Sequence, residues 1–212
     1  RQELGVENFR TNSDCEPPLI LYENNGIDYP EHLRGMFAIA IAEPIDNKIC
    51  LTRDPFGIKP LYYTILSNGV AFASELSCLV ETGLTSRKIN KHSLQELLQL
   101  QFTLGTDTIF SDIKRVSPGE SIEFKDGLIT QRSQLPILPE EGPRNWTETE
   151  ALNKLNRVLM DSVSMHQRSD VPYGMFLSGG VDSSVILACM RELNDTPVRA
   201  FSAGFSSNSV SD

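Results

Sequence analysis

The sequence predicts an α+β unit followed by an α/β unit, on three observations. Short apolar runs broken by tight turns occupy the first 131 residues and read as antiparallel strands. A proline-rich stretch then interrupts the pattern. Beyond it, residues 174–204 run strand, turn, helix, strand, the order that sets two neighbouring strands parallel.

Composition narrows the classes. The chain has 212 residues, 40% of them hydrophobic and 22% charged, as in an ordinary globular protein. A net charge of −9 argues against a nucleic-acid partner, whose phosphates call for surplus lysine and arginine. The longest apolar run, Met36 to Ala42, is far shorter than the roughly 18 residues of a membrane span, so no membrane partner is expected. Cys15, Cys50, Cys78 and Cys189 form no CxxC pair, which disfavours a zinc knuckle and fits a reducing, cytoplasmic setting. The chain opens abruptly at Arg1, without a signal-peptide pattern, and stops at Asp212 after one strand–helix–strand unit. Both ends therefore look cut, as in a segment of a longer protein.

Residues 1–13 are polar and loop-like. Ser13 or Asp14 is expected to cap a helix that starts at Pro17-Pro18 and ends at Asn25-Gly26. A second helical turn is placed near Pro30–Leu33. Gly35–Ala42 alternates large and small residues, as a strand covered on both faces would. Ile49–Arg53, Leu61–Ile65 and Val70–Ala73 follow, with Asn68-Gly69 as a hairpin turn, and the four together are expected to form an antiparallel meander. Leu94–Leu98 is helical. Ser121–Phe124 and Leu128–Gln131 form a last hairpin about Asp126-Gly127. Residues 132–146, with Pro136, Pro139 and Pro143, are the expected linker between a first domain, 1–131, and a second, 147–212. Thr147-Glu148-Thr149-Glu150 reads as a capping box. Leu152, Leu155, Leu159 and Val163 fall on one face of the helix it starts.

The second unit is organised around Leu177-Ser178-Gly179-Gly180-Val181-Asp182-Ser183-Ser184. An apolar strand precedes this octet and a helix follows. Small residues let backbone N–H groups approach an anion, and the helix N-terminus adds partial positive charge. Ser178, Ser183 and Ser184 add hydroxyl donors. Asp182 would repel a phosphate unless a cation lay between them, which suggests Mg²⁺. The octet lacks the Gly-Lys-Ser/Thr of a Walker loop and the three glycines of the dinucleotide fingerprint. The bland reading is a turn capped by Asp182 or Ser183. The octet resembles the SGGxDS loop of the ATP pyrophosphatases, which implies cleavage of ATP to AMP and pyrophosphate.

Further stretches share this order. They are Ser13-Asp14-Cys15-Glu16, Arg34-Gly35-Met36-Phe37-Ala38, the eleven residues Arg53–Tyr63, Phe72-Ala73-Ser74-Glu75 and Ser169–Gly174. Together with the loop they resemble the glutamine-hydrolysing asparagine synthetases over nearly the whole chain. The resemblance implies a class II glutamine amidotransferase domain, an incomplete α-β-β-α sandwich of the N-terminal-nucleophile type, followed by the start of a parallel-sheet ATP pyrophosphatase domain. It implies glutamine, aspartate and ATP as substrates, with ATP and Mg²⁺ as the cofactors. Ammonia freed from glutamine would pass through an internal tunnel and displace AMP from β-aspartyl-AMP.

The resemblance carries over few residues. Asp14 matches the aspartate that binds the α-amino group of glutamine. Leu177, Ser178, Gly179, Gly180, Val181, Asp182 and Ser183 match the ATP–pyrophosphate loop, with Asp182 the Mg²⁺ ligand, and Ala203 matches an adenine contact. Met36 and Ile58 match tunnel positions, with plain core packing as the rival reading. Arg53, Asp54, Lys59 and Glu75 are read as structural. Ser77 and Arg34 depart from the common family residues. No catalytic residue is assigned: position 1 is Arg1 rather than the nucleophilic cysteine, and no cysteine stands beside a histidine in sequence. Cys50 and Cys189 are expected to be buried, and His32, His92 and His166 to lie on the surface. The chain alone is therefore expected to release no ammonia from glutamine. The rival functions are a paralogue amidating a different carboxylate, and a non-catalytic segment. Oligomeric state is not legible.

Overall fold

The computed structural model describes residues 4–5, 9–138, 142–169 and 171–204. Arg1, Asp212 and Asp170 of the Ser169–Gly174 motif lie outside the described residues, as does part of the expected linker. The chain divides into two compact units, Arg1–Glu140 and Glu141–Asp212.

In the first unit, helix α1 spans Glu16–Asn25, with prolines in its first turn as predicted. Its N-cap is Cys15, and no side chain caps it, which corrects the expectation for Ser13 or Asp14. Ser13 Oγ instead accepts the N–H of Cys15 at 3.2 Å, so the serine serves the loop before the helix. A 3₁₀ helix, Gly26–His32, follows and is longer than the predicted turn. Strands β1 (Ala38–Glu43), β2 (Lys48–Arg53), β3 (Tyr62–Leu66) and β4 (Gly69–Ala73) come next. Then follow α2 (Leu76–Glu81), α3 (Lys91–Leu100), β5 (Lys114–Arg115), β6 (Glu120–Lys125) and β7 (Leu128–Gln134). Asn90 caps α3 by accepting the N–H groups of His92 and Ser93.

The four strands β1–β4 are not one meander. They are two hairpins in two antiparallel sheets, ordered β1-β2-β6-β7 and β4-β3-β5. The cause lies in the crossing between β2 and β3. The fully buried Asp54 accepts three backbone N–H groups: Phe56 (3.2 Å) and Ile58 (3.0 Å) on Oδ1, and Lys59 (2.9 Å) on Oδ2. Arg53 donates to the carbonyls of Gly57 (2.6 Å), Lys59 (2.8 Å) and Val116 (2.8 Å). These bonds satisfy an irregular, partly buried backbone that no sheet ladder serves. They also turn the chain out of one sheet and into the other. Gly57 sits in this turn at φ +62, where a Cβ would lie 2.9 Å from Pro118 and 3.1 Å from the Arg53 guanidinium carbon, so only glycine fits.

The two sheets face each other across Leu51, Ile122 and Phe124 on one side and Tyr63 on the other, closed by Leu61 and Val116. The Tyr63 and Phe124 rings meet edge-on at 5.4 Å. Burying a side chain such as Leu51 or Phe124 contributes roughly 1.5–3 kcal/mol. On the outer face of the β1-β2 sheet, Leu21, Tyr22, Ile27 and Tyr29 pack against Ile41 and Cys50. Tyr22 donates to Glu43 at 2.9 Å, and Lys48 bridges Glu43 (2.9 Å) and Glu123 (3.0 Å) beneath it. The bond from Lys48, then that from Tyr22, hold the Glu43 carboxyl below the usual glutamate value. Helix α2 packs on β3 and β4 through the buried Leu79. The outcome is mixed α/β with antiparallel sheets. Strand β1 is at the sheet edge and is not covered on both faces: Ile41 is buried and Ala40 exposed.

In the second unit, helix α4 (Glu148–His166) begins at the predicted capping box, with Thr147 and Glu150 each bonding the other's backbone N–H. Only the C-terminal half of its apolar stripe is covered; Leu152 and Leu155 are exposed. Strand β8 (Gly174–Phe176), helix α5 (Val181–Leu193) and strand β9 (Arg199–Phe201) follow. Strands β8 and β9 pair parallel in register Gly174–Arg199 to Phe176–Phe201. Cys189 and Met190 are the buried residues of α5, which packs on α4. Among the described residues no helix is long and apolar enough to cross a membrane.

Candidate functional site

The first unit carries a cleft of about 830 Å³ along the whole of β1. One wall is the loop before α1, with Asp14 and Cys15. The floor is Ala38–Ala42, reached through Met36 and Phe37, and the far wall is Lys59, Pro60 and Ser74. The crossing that Asp54 organises thus brings Lys59 to the same cleft as Asp14. Folding brings Asp14 and Met36 to one cavity. Ile58 is half exposed, donates its N–H to Asp54, and does not line the cleft. Asp14 is exposed, and its carboxylate receives the Cys15 thiol at 3.7 Å. An exposed carboxylate at the rim of this mainly apolar cleft can pair with an ammonium group. Arg34, Lys59 and Ser74 also line the cleft; the motif runs that hold them, Arg34–Ala38, Arg53–Tyr63 and Phe72–Glu75, were the available signal.

The cysteines offer little nucleophilic chemistry. Burial pushes the Cys50 thiol up to about 11, and its sulfur lies 3.7 Å from Thr52 Oγ1. Cys189 is buried as expected, while Cys15 and Cys78 are exposed. All three histidines are exposed. His92 faces Glu96 at 3.3 Å, and His166 bonds the carbonyl of Ser162 at 2.7 Å.

In the second unit, the octet joins β8 to α5. Gly180 is the N-cap of α5, and no side chain caps the helix, so capping by Asp182 or Ser183 does not explain the motif. The serines hold the loop instead. Ser178 Oγ meets Ser183 Oγ at 3.0 Å and accepts the N–H of Gly180 at 3.3 Å. Ser183 and Ser184 donate to the Gly180 carbonyl at 3.1 and 2.8 Å. Gly179 has φ +84, a left-handed conformation that lets the backbone turn sharply above the strand. Leu177 extends the parallel pair through its N–H to the Phe201 carbonyl (2.8 Å), and Ser202 Oγ returns a bond to the Leu177 carbonyl (2.7 Å). Ala203 therefore follows β9 directly beside the start of the loop. All eight site residues lie together at the carboxyl ends of two parallel strands. That edge, with a helix N-terminus opening on it, suits an anion. Ser178–Asp182 and Ala203 are exposed. Among the described residues no three His, Cys, Asp or Glu side chains gather as a metal site.

The family model described as a glutamine amidotransferase domain matches residues 1–134, and that described as asparagine synthase matches residues 154–212. Over 215 residues the chain is 36% identical to the Bacillus subtilis protein named asparagine synthetase [glutamine-hydrolyzing] 1, covering all of this chain and 33% of the relative. Over 200 residues it is 35% identical to asparagine synthetase [glutamine-hydrolyzing] 2 of the same organism, covering 88% of the chain and 26% of the relative. The Gibberella zeae protein named amidase chry2 is 28% identical over 190 residues, 87% of the chain and 27% of the relative. The chain thus spans a third or less of the length of these relatives. With its match running through both sheets and the cleft along β1, the chain belongs to the glutamine amidotransferase domain family.

Proposed function

We propose that the chain serves an ATP-dependent, glutamine-hydrolysing asparagine synthetase. The observation that carries this is the joining, on one chain, of the Asp14 cleft in a glutamine amidotransferase domain and the serine-held Ser178–Ser183 loop in a stretch matching asparagine synthase. In this reading residues 1–131, continued by the end of β7 at Gln134, form an N-terminal-nucleophile-type α-β-β-α sandwich, the rest of 132–146 is a linker, and 147–212 is the start of an ATP pyrophosphatase domain. The helix, sheet, sheet, helix order of the first unit and the parallel β8–β9 pair of the second support it.

Asp14 holds the α-ammonium of glutamine, and Met36 and Ile58 are the apolar positions along which ammonia leaves. The loop Leu177–Ser183 binds the pyrophosphate portion of ATP through backbone N–H groups at the start of α5, and Ala203 lies against adenine. A lone Asp182 fits Mg²⁺, which takes one or two carboxylates and completes its shell with phosphate oxygens and water. Bound there, Mg²⁺ would neutralise charge on the departing pyrophosphate. Activating a carboxylate as its adenylate replaces a poor leaving group with AMP, and ammonia then displaces it. The paralogue reading, in which another carboxylate is amidated, draws on the relative named an amidase.

The test follows label. The enzyme containing these residues is incubated with amide-¹⁵N glutamine, aspartate and Mg-ATP. The reading predicts ¹⁵N in the asparagine amide, with one AMP and one pyrophosphate per asparagine. AMP formation that requires a different carboxylate would select the paralogue.

A further inference from the structure

The loop carrying Asp14 has no regular structure between residues 10 and 15, yet it is tightly tied. The tie is Glu16, the first residue of α1. Its carboxylate turns back over the loop: Oε1 accepts the N–H of Arg10 at 2.6 Å, and Oε2 accepts both the N–H (2.8 Å) and the hydroxyl (2.6 Å) of Thr11. Thr11 Oγ1 in turn accepts the N–H of Ser13 at 3.1 Å, and Ser13 Oγ accepts the N–H of Cys15 at 3.2 Å. Residues 10–16 are thus closed into a ring by one charge-assisted acceptor, the stronger kind of hydrogen bond. Glu16 stands in the first turn of α1, where the helix dipole favours its negative charge. Asp14 rides on this ring at the rim of the cleft, where its carboxylate accepts the Cys15 thiol at 3.7 Å.

We propose that Glu16 is a positioning residue for glutamine: it holds the 10–15 loop so that Asp14 stands in the cleft before substrate arrives. This rests on Asp14 as the carboxylate for the substrate's α-ammonium. A loop already fixed in its bound conformation avoids the ordering cost on binding, so the clamp acts on substrate affinity.

The test is a double-mutant cycle in the enzyme containing these residues, with Glu16→Gln, Asp14→Asn and the pair together. Glu16→Gln keeps the side chain's size but sets an amide N–H₂ against the loop's donors. The expected result is a KM for glutamine raised about tenfold, with kcat for glutamine hydrolysis within about threefold and ammonium-driven synthesis unchanged. Hydrogen exchange at residues 10–15 accelerates, and the double variant binds glutamine no more weakly than Asp14→Asn alone. Multiplying effects in the double variant, or equal loss of glutamine- and ammonium-driven synthesis in Glu16→Gln, would overturn the inference while leaving Asp14's role intact. An unchanged KM for glutamine in Asp14→Asn would overturn the Asp14 reading, and the role of Glu16 with it.

Discussion

Replacing Asp54 should damage the first unit more than any surface change, because its carboxylate is the hub of the crossing between the two sheets. Asp54→Ala strips the acceptor from three N–H groups, those of Phe56, Ile58 and Lys59, in a place the side chain now fills completely. A fully buried donor left unsatisfied costs about 1–3 kcal/mol, and these three are partly buried, which keeps each toward the low end. Water entering the vacated space offsets part of this, which sets the loss at about 3–5 kcal/mol. At about 3 °C per kcal/mol for a chain of this size, Tm falls by about 9–15 °C. Asp54→Asn keeps Oδ1 for Phe56 and Ile58 but points N–H₂ at the Lys59 N–H, so its loss is smaller, about 2 kcal/mol. Differential scanning calorimetry of the wild type and both variants in one buffer reads the difference. A Tm within about 3 °C of wild type for Asp54→Ala, or equal losses for the two variants, would refute the hub.

Asp14→Asn should weaken glutamine-driven synthesis and spare synthesis driven by added ammonium, since ammonia bypasses the cleft. Because Asp14 is exposed, the expected loss is nearer tenfold than that of a buried charge pair. The Glu43 carboxyl is depressed in the folded chain, so its stabilising contribution is present above the ordinary glutamate pKa, about 4.3, and is lost as pH falls through the lower folded value. The stability gap between wild type and Glu43→Gln, measured by urea titration, should therefore be constant from pH 7 to 5 and close below pH 4; a gap independent of pH would contradict the Lys48–Glu43–Tyr22 arrangement.

Local signals were the legible ones. Thr147 and Glu150 announced the start of α4, and Asp126-Gly127 the β6–β7 turn, whose φ values are +51 and +78. The Leu177–Ser184 octet was readable because strand, loop and helix are contiguous. The division of β1–β4 between two sheets was not, because it depends on β2 pairing with β6, for example Leu51 with Ile122, across some seventy intervening residues. Strand β5 has two residues and α2 six, too short for any period to register. Asp54 read only as a structural residue, and its three N–H partners became visible only with the turn's conformation. The far wall of the cleft, Lys59 and Ser74, was hidden for the same reason: the crossing puts it there.

In the proposed function, glutamine chemistry and nucleotide chemistry reside in separate units of one enzyme. Asp182→Ala in the enzyme containing these residues tests it most directly, with glutamine hydrolysis and Mg²⁺-dependent pyrophosphate formation from ATP measured on the same preparation. Pyrophosphate formation is expected to be lost while ammonia release from glutamine stays within about threefold of wild type. A folded variant that loses both activities equally, or neither, would contradict it.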